Sequence, residues 1–263
     1  MFAQSMKLYE KTMNRCFKWP VDIIYLVIFF VSITIRLFKM ISEPLLLRDA
    51  AYYLLMAELW NKTGEYMEIL KGHESVPPFH LWSIKTLMNI CGDSEIAGRS
   101  ISIFLGGLIP VIGFILAREI THSIRFSLIA ALCFILHPNL VSYSTQPLRE
   151  NYYILLVGLL LIAMVRNIRE TRTTGWIVCG AIVGGAVLCR YEILEFLVFV
   201  TAEIAVLELK KNRIVPFLKS TGIFFLVFVM TSFSLLVFMG CNYSSIYKIK
   251  TYYNRAIESE IDN

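Results

Sequence analysis

No two of the six cysteines form a Cys-x-x-Cys pair, and no His/Cys cluster has metal-ligand spacing. Neither a zinc site nor a disulfide framework follows, and no metal is expected. Cys16 falls in the basic N-terminus, Cys133 and Cys179 within apolar runs, and Cys91, Cys189 and Cys241 near the ends of such runs. A glycine-rich phosphate loop, a nucleotide fingerprint and a nucleic-acid motif are also missing, so no cofactor and no nucleic-acid partner is expected. There is no internal repeat and no matched pair of broken helices, which counts against a transporter. No small-x-small cleavage site precedes Ser42-Glu43-Pro44. The basic stretch with Lys7, Lys11, Arg15 and Lys18 and the apolar run Val21 to Ile41 therefore form an uncleaved first span rather than a signal peptide.

What is present is apolar. The chain of 263 residues is 57% hydrophobic with a mean hydropathy of +0.63, too apolar for a soluble domain of this size. Further apolar windows fall at about 96–117, 126–143, 151–165, 175–189, 193–207 and 216–239, making about seven transmembrane helices. Basic residues mark alternate loops: Arg118 and Arg125, then Arg166, Arg169 and Arg172, then Lys210, Lys211 and Arg213. With the basic N-terminus they place every second loop in the cytoplasm. The 43–95 loop holds eight acids against four bases and is expected outside. The expected topology is N-terminus in and C-terminus out.

The long first loop carries two short helical patterns. Tyr52, Leu55, Met56, Leu59 and Trp60 recur at helical spacing, and Gly64 is a plausible stop. A second pattern starts at Pro77-Pro78 and runs through Leu81, Trp82, Ile84, Leu87 and Met88 to Cys91-Gly92. Neither is long enough to span, so two juxtamembrane helices are expected, lying flat at the interface with their aromatics. Asp49 has two compatible readings: a carboxylate poised at the membrane surface, and an N-cap of the first of these helices.

Spans four and five carry only about 15 apolar residues each, roughly 22 Å against a hydrocarbon core of ~30 Å. That shortfall should draw Arg149, Glu150, Arg190 and Glu192 below headgroup level. Ionisable groups at that depth are expensive and usually functional. Two arginines there could grip a lipid phosphate bidentately, or could pair with Glu150 and Glu192 as structural glue. Gly180-x-x-x-Gly184 reads as a close helix contact, His137-Pro138 as a kink, and Arg36 and Lys39 as snorkelling cations. Glu203 and Glu208 are expected at the inner interface.

The order Arg48-Asp49-Ala-Ala-Tyr-Tyr, Pro77-Pro78-Phe79-His80, Gly92-Asp93-Ser94-Glu95-x-x-x-Arg99, Pro138, Arg149-Glu150 and Arg190-Tyr191-Glu192 resembles the dolichyl-phosphate-mannose–protein mannosyltransferase superfamily of GT-C fold (family 39-like). Its bacterial members include aminoarabinose and related lipid-A or polysaccharide transferases. The resemblance covers about residues 20–210. It implies an all-α integral membrane protein, GT-C-like. The implied activity is transfer of a sugar from a polyprenyl- or dolichyl-phosphate carrier with inversion of the anomeric carbon. The Asp matching Asp49 is the base that activates the acceptor; Arg149 and Arg190 are the counterparts of the phosphate-binding arginines. Tyr52, His80, Glu150 and Glu192 complete the expected substrate-binding set. Two departures stand out. The family's Asp-Glu pair is Asp49-Ala50 here, and the chain is expected to end soon after span seven, close to the end of the family's shared seven-helix module.

The expected domains are a cytoplasmic basic N-terminus at 1–20, a transmembrane GT-C-like module at 21–240 that includes the 43–95 loop, and an outer tail at 241–263. The expected function is a glycosyltransferase of the hexosyltransferase class, mannosyltransferase-like. Its partners would be a polyprenyl-phosphate-linked sugar, a lipid, glycan or protein acceptor, the bilayer, and a partner chain supplying the C-terminal part. Its place would be the cell membrane, a bacterial inner membrane before an ER membrane. A shortened, non-catalytic module that binds lipid-linked sugar or scaffolds a partner is the alternative, and a lipid or solute transporter the lesser one.

Overall fold

The computed structural model describes residues 21–66, 76–169, 173–209 and 214–241. The basic N-terminus with Cys16, Lys71, Arg172, Lys210, Lys211, Arg213 and the tail beyond Cys241 lie outside the described residues. The described residues are helical, with no strand among them. In chain order the helices are α1 (Val21–Ser42), α2 (Arg48–Thr63), α3 (Pro78–Cys91), α4 (Ser94–Thr121), α5 (Ile124–Leu136), α6 (Pro138–Thr145), α7 (Glu150–Arg169), α8 (Thr173–Ala186), α9 (Glu195–Leu209) and α10 (Ile214–Phe238). A 3₁₀ turn at Tyr191–Leu194 joins α8 to α9.

Four helices are long and apolar enough to cross a membrane alone: Asp22–Ser42, Ser94–Thr121, Glu150–Arg169 and Ile214–Phe238. The pair α5 and α6, bent by 56°, makes a fifth if it counts as one span. Among the described residues, length and composition alone thus identify four or five of the seven expected spans. The other two windows fold as α8, with 14 residues, and α9, with 15. Span four is not short: α7 has 20 residues and starts at Glu150 itself. Only α8 keeps the expected shortfall, at about 21 Å for its 14 residues. The bend falls at His137-Pro138, because proline has no N–H for the helix ladder and crowds the preceding turn.

α2 and α3 form within the first loop, close to the expected bounds. Both end on a glycine in the left-handed region, Gly64 at φ 73 and Gly92 at φ 77, where a side chain would be strained. Their packing differs from the expected stripe. α2 buries Ala50, Tyr53, Leu54, Met56, Ala57 and Trp60, while Leu55 and Leu59 stay exposed. The two alanines, fully buried, offer a flat face that neighbouring helices can approach. Trp60 is no interfacial aromatic: it is buried against Tyr66, with Lys85 Nζ 4.9 Å from its ring centroid.

A second correction concerns Arg36. It does not snorkel. It is fully buried and lies over Gly106 beside Ser144, donating from Nη1 to the Ser32 carbonyl at 3.1 Å. Lys39, by contrast, pairs with Glu43 one turn away.

Glycine governs the α8–α10 contact as its spacing suggested. A Cβ on Gly180 would sit 2.6 Å from the Phe224 carbonyl oxygen, and one on Gly184 2.7 Å from that of Phe228. Ser232 Oγ donates to the Gly184 carbonyl across the same seam at 3.1 Å. Around it Trp176, Cys179, Val183, Ile204 and Phe224 are buried in the larger apolar cluster, which reaches into α2 and α3. A smaller cluster joins α1, α4 and α5 through Ile24, Ile28, Phe114 and Ala131.

Candidate functional site

The residues singled out in the sequence converge at the end of the bundle that carries α2 and α3. A cleft of about 590 Å³ opens there, lined by Leu47, Arg48 and Asp49 at the start of α2, Tyr143 and Leu148, Glu150, Tyr153 and Ile154 at the start of α7, and Arg190 before the 3₁₀ turn. Three segments separated by about a hundred and by forty residues thus supply one cleft with two carboxylates and two guanidinium groups.

Asp49 is exposed in the first turn of α2. It is not the N-cap. Leu47 holds that position, and no side chain caps the helix. The carboxylate is therefore not spent on backbone N–H groups in the way the cap reading required, although it still gains from the positive end of the helix. Four residues on, Tyr53 lies on the same helix face. Its hydroxyl is buried, which pushes its pKa up; Arg149 pulls it down, and Glu150 and Asp49 push it further up. Tyr53 thus feels the charges of Arg149, Glu150, Asp49 and Arg190, and it is absent from the set expected from the sequence, which names Tyr52. The i, i+4 spacing from Asp49 was the available signal. Tyr52 is half-buried against the larger apolar cluster, with its ring 6.2 Å from that of Tyr53.

The two arginines differ. Arg190 Nη1 donates to Glu150 Oε1 at 3.0 Å, its Nε lies 2.9 Å from Glu192 Oε1, and its guanidinium sits 5.4 Å from the Tyr153 ring centroid. Burial works against its charge, but the ion pair with Glu192 and the field of Glu150 outweigh it and hold its pKa above the ordinary value. Glu192, half-exposed, is held below the ordinary carboxylate value in spite of its burial, by a backbone N–H and by Arg190. Of the pairings considered from the sequence, the one that forms is therefore Arg190 between Glu150 and Glu192. Arg149 lies 5.9 Å from the Tyr53 ring centroid, and its Nε is buried with no hydrogen-bond partner. Glu150 Oε2 is likewise buried and without a partner.

His80 does not line the cleft. It is fully buried beneath it, its ring 5.3 Å from Tyr53 and 5.8 Å from Tyr152. Its Nε2 lies 3.0 Å from the Pro147 carbonyl oxygen, which can only accept, so Nε2 carries the proton. Burial pushes the imidazole pKa down to about 4; the bond to Pro147 opposes this and the Arg149 charge adds to it. A neutral His80 thus props the segment that presents Arg149 and Glu150. Among the described residues no cluster of three His, Cys, Asp or Glu side chains could hold a metal ion. The arrangement can accept a proton at an exposed carboxylate and oppose an anion with a guanidinium whose Nε is unpartnered.

A family model described as dolichyl-phosphate-mannose-protein mannosyltransferase matches residues 75–236. The matched range contains His80, Arg149, Glu150, Arg190 and Glu192, while Asp49 and Tyr52 precede it. Comparison with curated proteins and with solved structures gives no match. The family match spans well over half of the chain, and the helices it covers include spans long enough for a bilayer. The chain belongs to the dolichyl-phosphate-mannose-protein mannosyltransferase family, multi-pass membrane glycosyltransferases of the GT-C type.

Proposed function

We propose that the chain transfers a sugar, mannose or a similar hexose, from a polyprenyl-phosphate carrier to an acceptor hydroxyl in this cleft, at the outer face of the membrane. The observation that carries the reading is the convergence of Asp49, Glu150 and Arg190 on one cleft from three separate segments. Asp49 takes the proton from the acceptor hydroxyl as that oxygen forms its bond to the anomeric carbon. The bond from the anomeric carbon to the phosphate oxygen breaks, its electron pair stays on the phosphate, and the configuration inverts. Arg149 opposes the charge that develops on the leaving phosphate, and Arg190 contributes from between its two carboxylates. The donor is already activated, so positioning and charge do most of the work.

The short apolar walls, Leu47, Leu148 and Ile154, suit the first isoprene units next to the phosphate. The acceptor would enter from the solvent side, past exposed Arg48 and Tyr143.

The test is transfer by the full chain in proteoliposomes loaded with radiolabelled dolichyl-phosphate mannose, the donor of the family's description. Covalent transfer of label to a hydroxyl acceptor is expected. Tight donor binding with no transfer, with or without a partner chain, would instead make the protein a carrier-binding module.

A further inference from the structure

Two of the three segments that build the cleft lie about a hundred residues apart in the chain. One, residues 44–49, leads into α2 and presents Asp49; the other, residues 145–150, leads into α7 and presents Arg149 and Glu150. The links between these segments come from two buried side chains behind the cleft. Gln146 is 5% exposed. Its Nε2 donates to the Leu45 carbonyl at 2.9 Å and its Oε1 accepts the Leu47 N–H at 3.1 Å. One side-chain amide thus uses both ends on the backbone of the other segment, and only one orientation of the amide satisfies both bonds. Arg99, 6% exposed, ties the same segments together: Nη2 donates to the Pro44 carbonyl at 2.6 Å and Nη1 to the Thr145 carbonyl at 3.1 Å. Its Nε is held by Glu95 at 2.7 Å.

The residue that Gln146 grips is the N-cap of α2. Leu47 accepts the first helical bond, from the Ala51 N–H at 3.0 Å, while its own N–H is satisfied by Gln146. The position and phase of the first turn of α2 follow from where Leu47 is fixed, and Asp49 is in that turn. The cap side chain that would ordinarily define a helix start is missing here. A residue 99 positions away does the work instead.

We infer that Gln146 is a positioning residue: it fixes the start of α2, and with it Asp49, against the segment that presents Arg149 and Glu150, with Arg99 locking the same two segments beside it. The inference rests on the reading of Asp49 as the proton acceptor. It explains why a polar side chain is buried at this point of the bundle and why both of its ends are used. A displacement of about 1 Å in such a site can cost on the order of a hundredfold in rate.

Two variants separate the bonds from the packing. Gln146→Met keeps the shape and loses both bonds; Gln146→Glu keeps the acceptor for Leu47 and loses the donor to Leu45. Hydrogen exchange of the full chain in lipid nanodiscs reads the clamp without any chemistry. The Leu47 amide should exchange about five- to tenfold faster in Gln146→Met, the protection that one such bond provides, and stay near the native rate in Gln146→Glu. Transfer from dolichyl-phosphate mannose reads the consequence. In Gln146→Met, kcat should fall about ten- to a hundredfold with the donor KM unchanged, and in Gln146→Glu it should fall less. In an Asp49→Asn background the Met substitution should cost nothing further. An unchanged Leu47 amide overturns the inference, and so does a faster amide with unchanged kcat. A kcat loss that persists in full in the Asp49→Asn background also overturns it, because Gln146 would then act by another route. Failure of the Asp49 reading shows separately, as a wild-type rate in Asp49→Asn alone.

Discussion

The α8–α10 seam and the cleft above α2 and α7 are built from opposite materials. The seam brings backbone to within van der Waals contact of backbone, and its glycines are there because any side chain would strike a carbonyl oxygen. The cleft is held by side chains that reach across the chain to single backbone groups: Gln146 to Leu45 and Leu47, Arg99 to Pro44 and Thr145, His80 to Pro147. The first kind of contact has no give, because a rigid helix cannot yield locally. The second can lose one bond and still fold, with its groups slightly displaced. Substitutions in the seam should therefore remove the protein, and substitutions around the cleft should spare the protein and slow the chemistry.

The largest effect should come from the seam. Gly184→Leu forces the Phe228 carbonyl aside, and overpacking of this kind costs about 3 kcal/mol or more where the neighbour is backbone. Loss of the monodisperse folded protein in detergent is the expected readout. Gly185→Ala is the matched control, since its Cβ would meet only Leu235 Cδ1 at 3.8 Å, and it should leave the thermal midpoint nearly unchanged. Equal tolerance of both would break the contrast.

His80 belongs to the props of the cleft and makes it pH-sensitive. Its imidazole is held down at about 4 from an ordinary 6.5 by burial. Between those values the unfolded chain binds a proton that the folded chain refuses. The stability that neutral His80 provides is complete above about pH 6.5 and is lost as the pH falls towards 4, at about 1.4 kcal/mol per unit. Thermal melts of wild type and His80→Gln across this window should converge as the pH drops, because Gln can still donate to the Pro147 carbonyl but does not titrate. Parallel melting curves would remove His80 from the acid response.

Arg190 lines the cleft and Arg149 sits beside it, next to Glu150, and the two sharpen the comparison. Arg149→Ala removes a guanidinium that pairs with no carboxylate among the described residues, so donor binding should weaken about tenfold or more, the worth of one charged contact. Arg190→Ala also strands Glu150 and Glu192, so it should lower thermal stability as well as binding. If Arg149→Ala binds dolichyl-phosphate mannose as tightly as wild type, the phosphate role passes from it. The smallest effect is expected at the far end of the bundle. Arg166 is mostly exposed and pairs with Glu119 at 2.6 Å; Arg166→Ala should change neither donor binding nor, beyond about 1 kcal/mol, stability.

Local chemistry was legible in the sequence; long-range pairing was not. Pro77-Pro78, Gly64 and Gly92 announce the starts and stops of α2 and α3 because each acts within a few residues. The glycine spacing announces the seam for the same reason, and Pro138 the bend. The number of spans is where hydropathy says least: apolar windows at 175–189 and 193–207 look alike whether the helix they form is long or, as in α8 and α9, 14 and 15 residues. The site was legible as a set of residues and not as a circuit. Nothing local in Gln146-Pro147-Leu148-Arg149-Glu150 shows that Gln146 reaches Leu47, or that Arg190 rather than Arg149 takes Glu150. Arg36 was misread for a related reason, since its burial depends on the space that Gly106 leaves on another helix.

The central claim, that the cleft performs proton transfer at Asp49, is tested most directly by the single-turnover rate of Asp49→Asn with dolichyl-phosphate mannose. Leu47 and not Asp49 caps α2, so the substitution leaves the helix cap intact while it removes the negative charge and the ability to accept a proton. Membrane insertion and donor affinity should match wild type, while transfer slows about 10²–10⁴-fold, the usual contribution of a general base. Asp93→Asn is the control in the same loop: Asp93 accepts the Ile96 N–H at 2.8 Å as the cap of α4, and Asn caps as well as Asp, so its rate should stay near that of wild type. Transfer by Asp49→Asn at the wild-type rate would contradict the account.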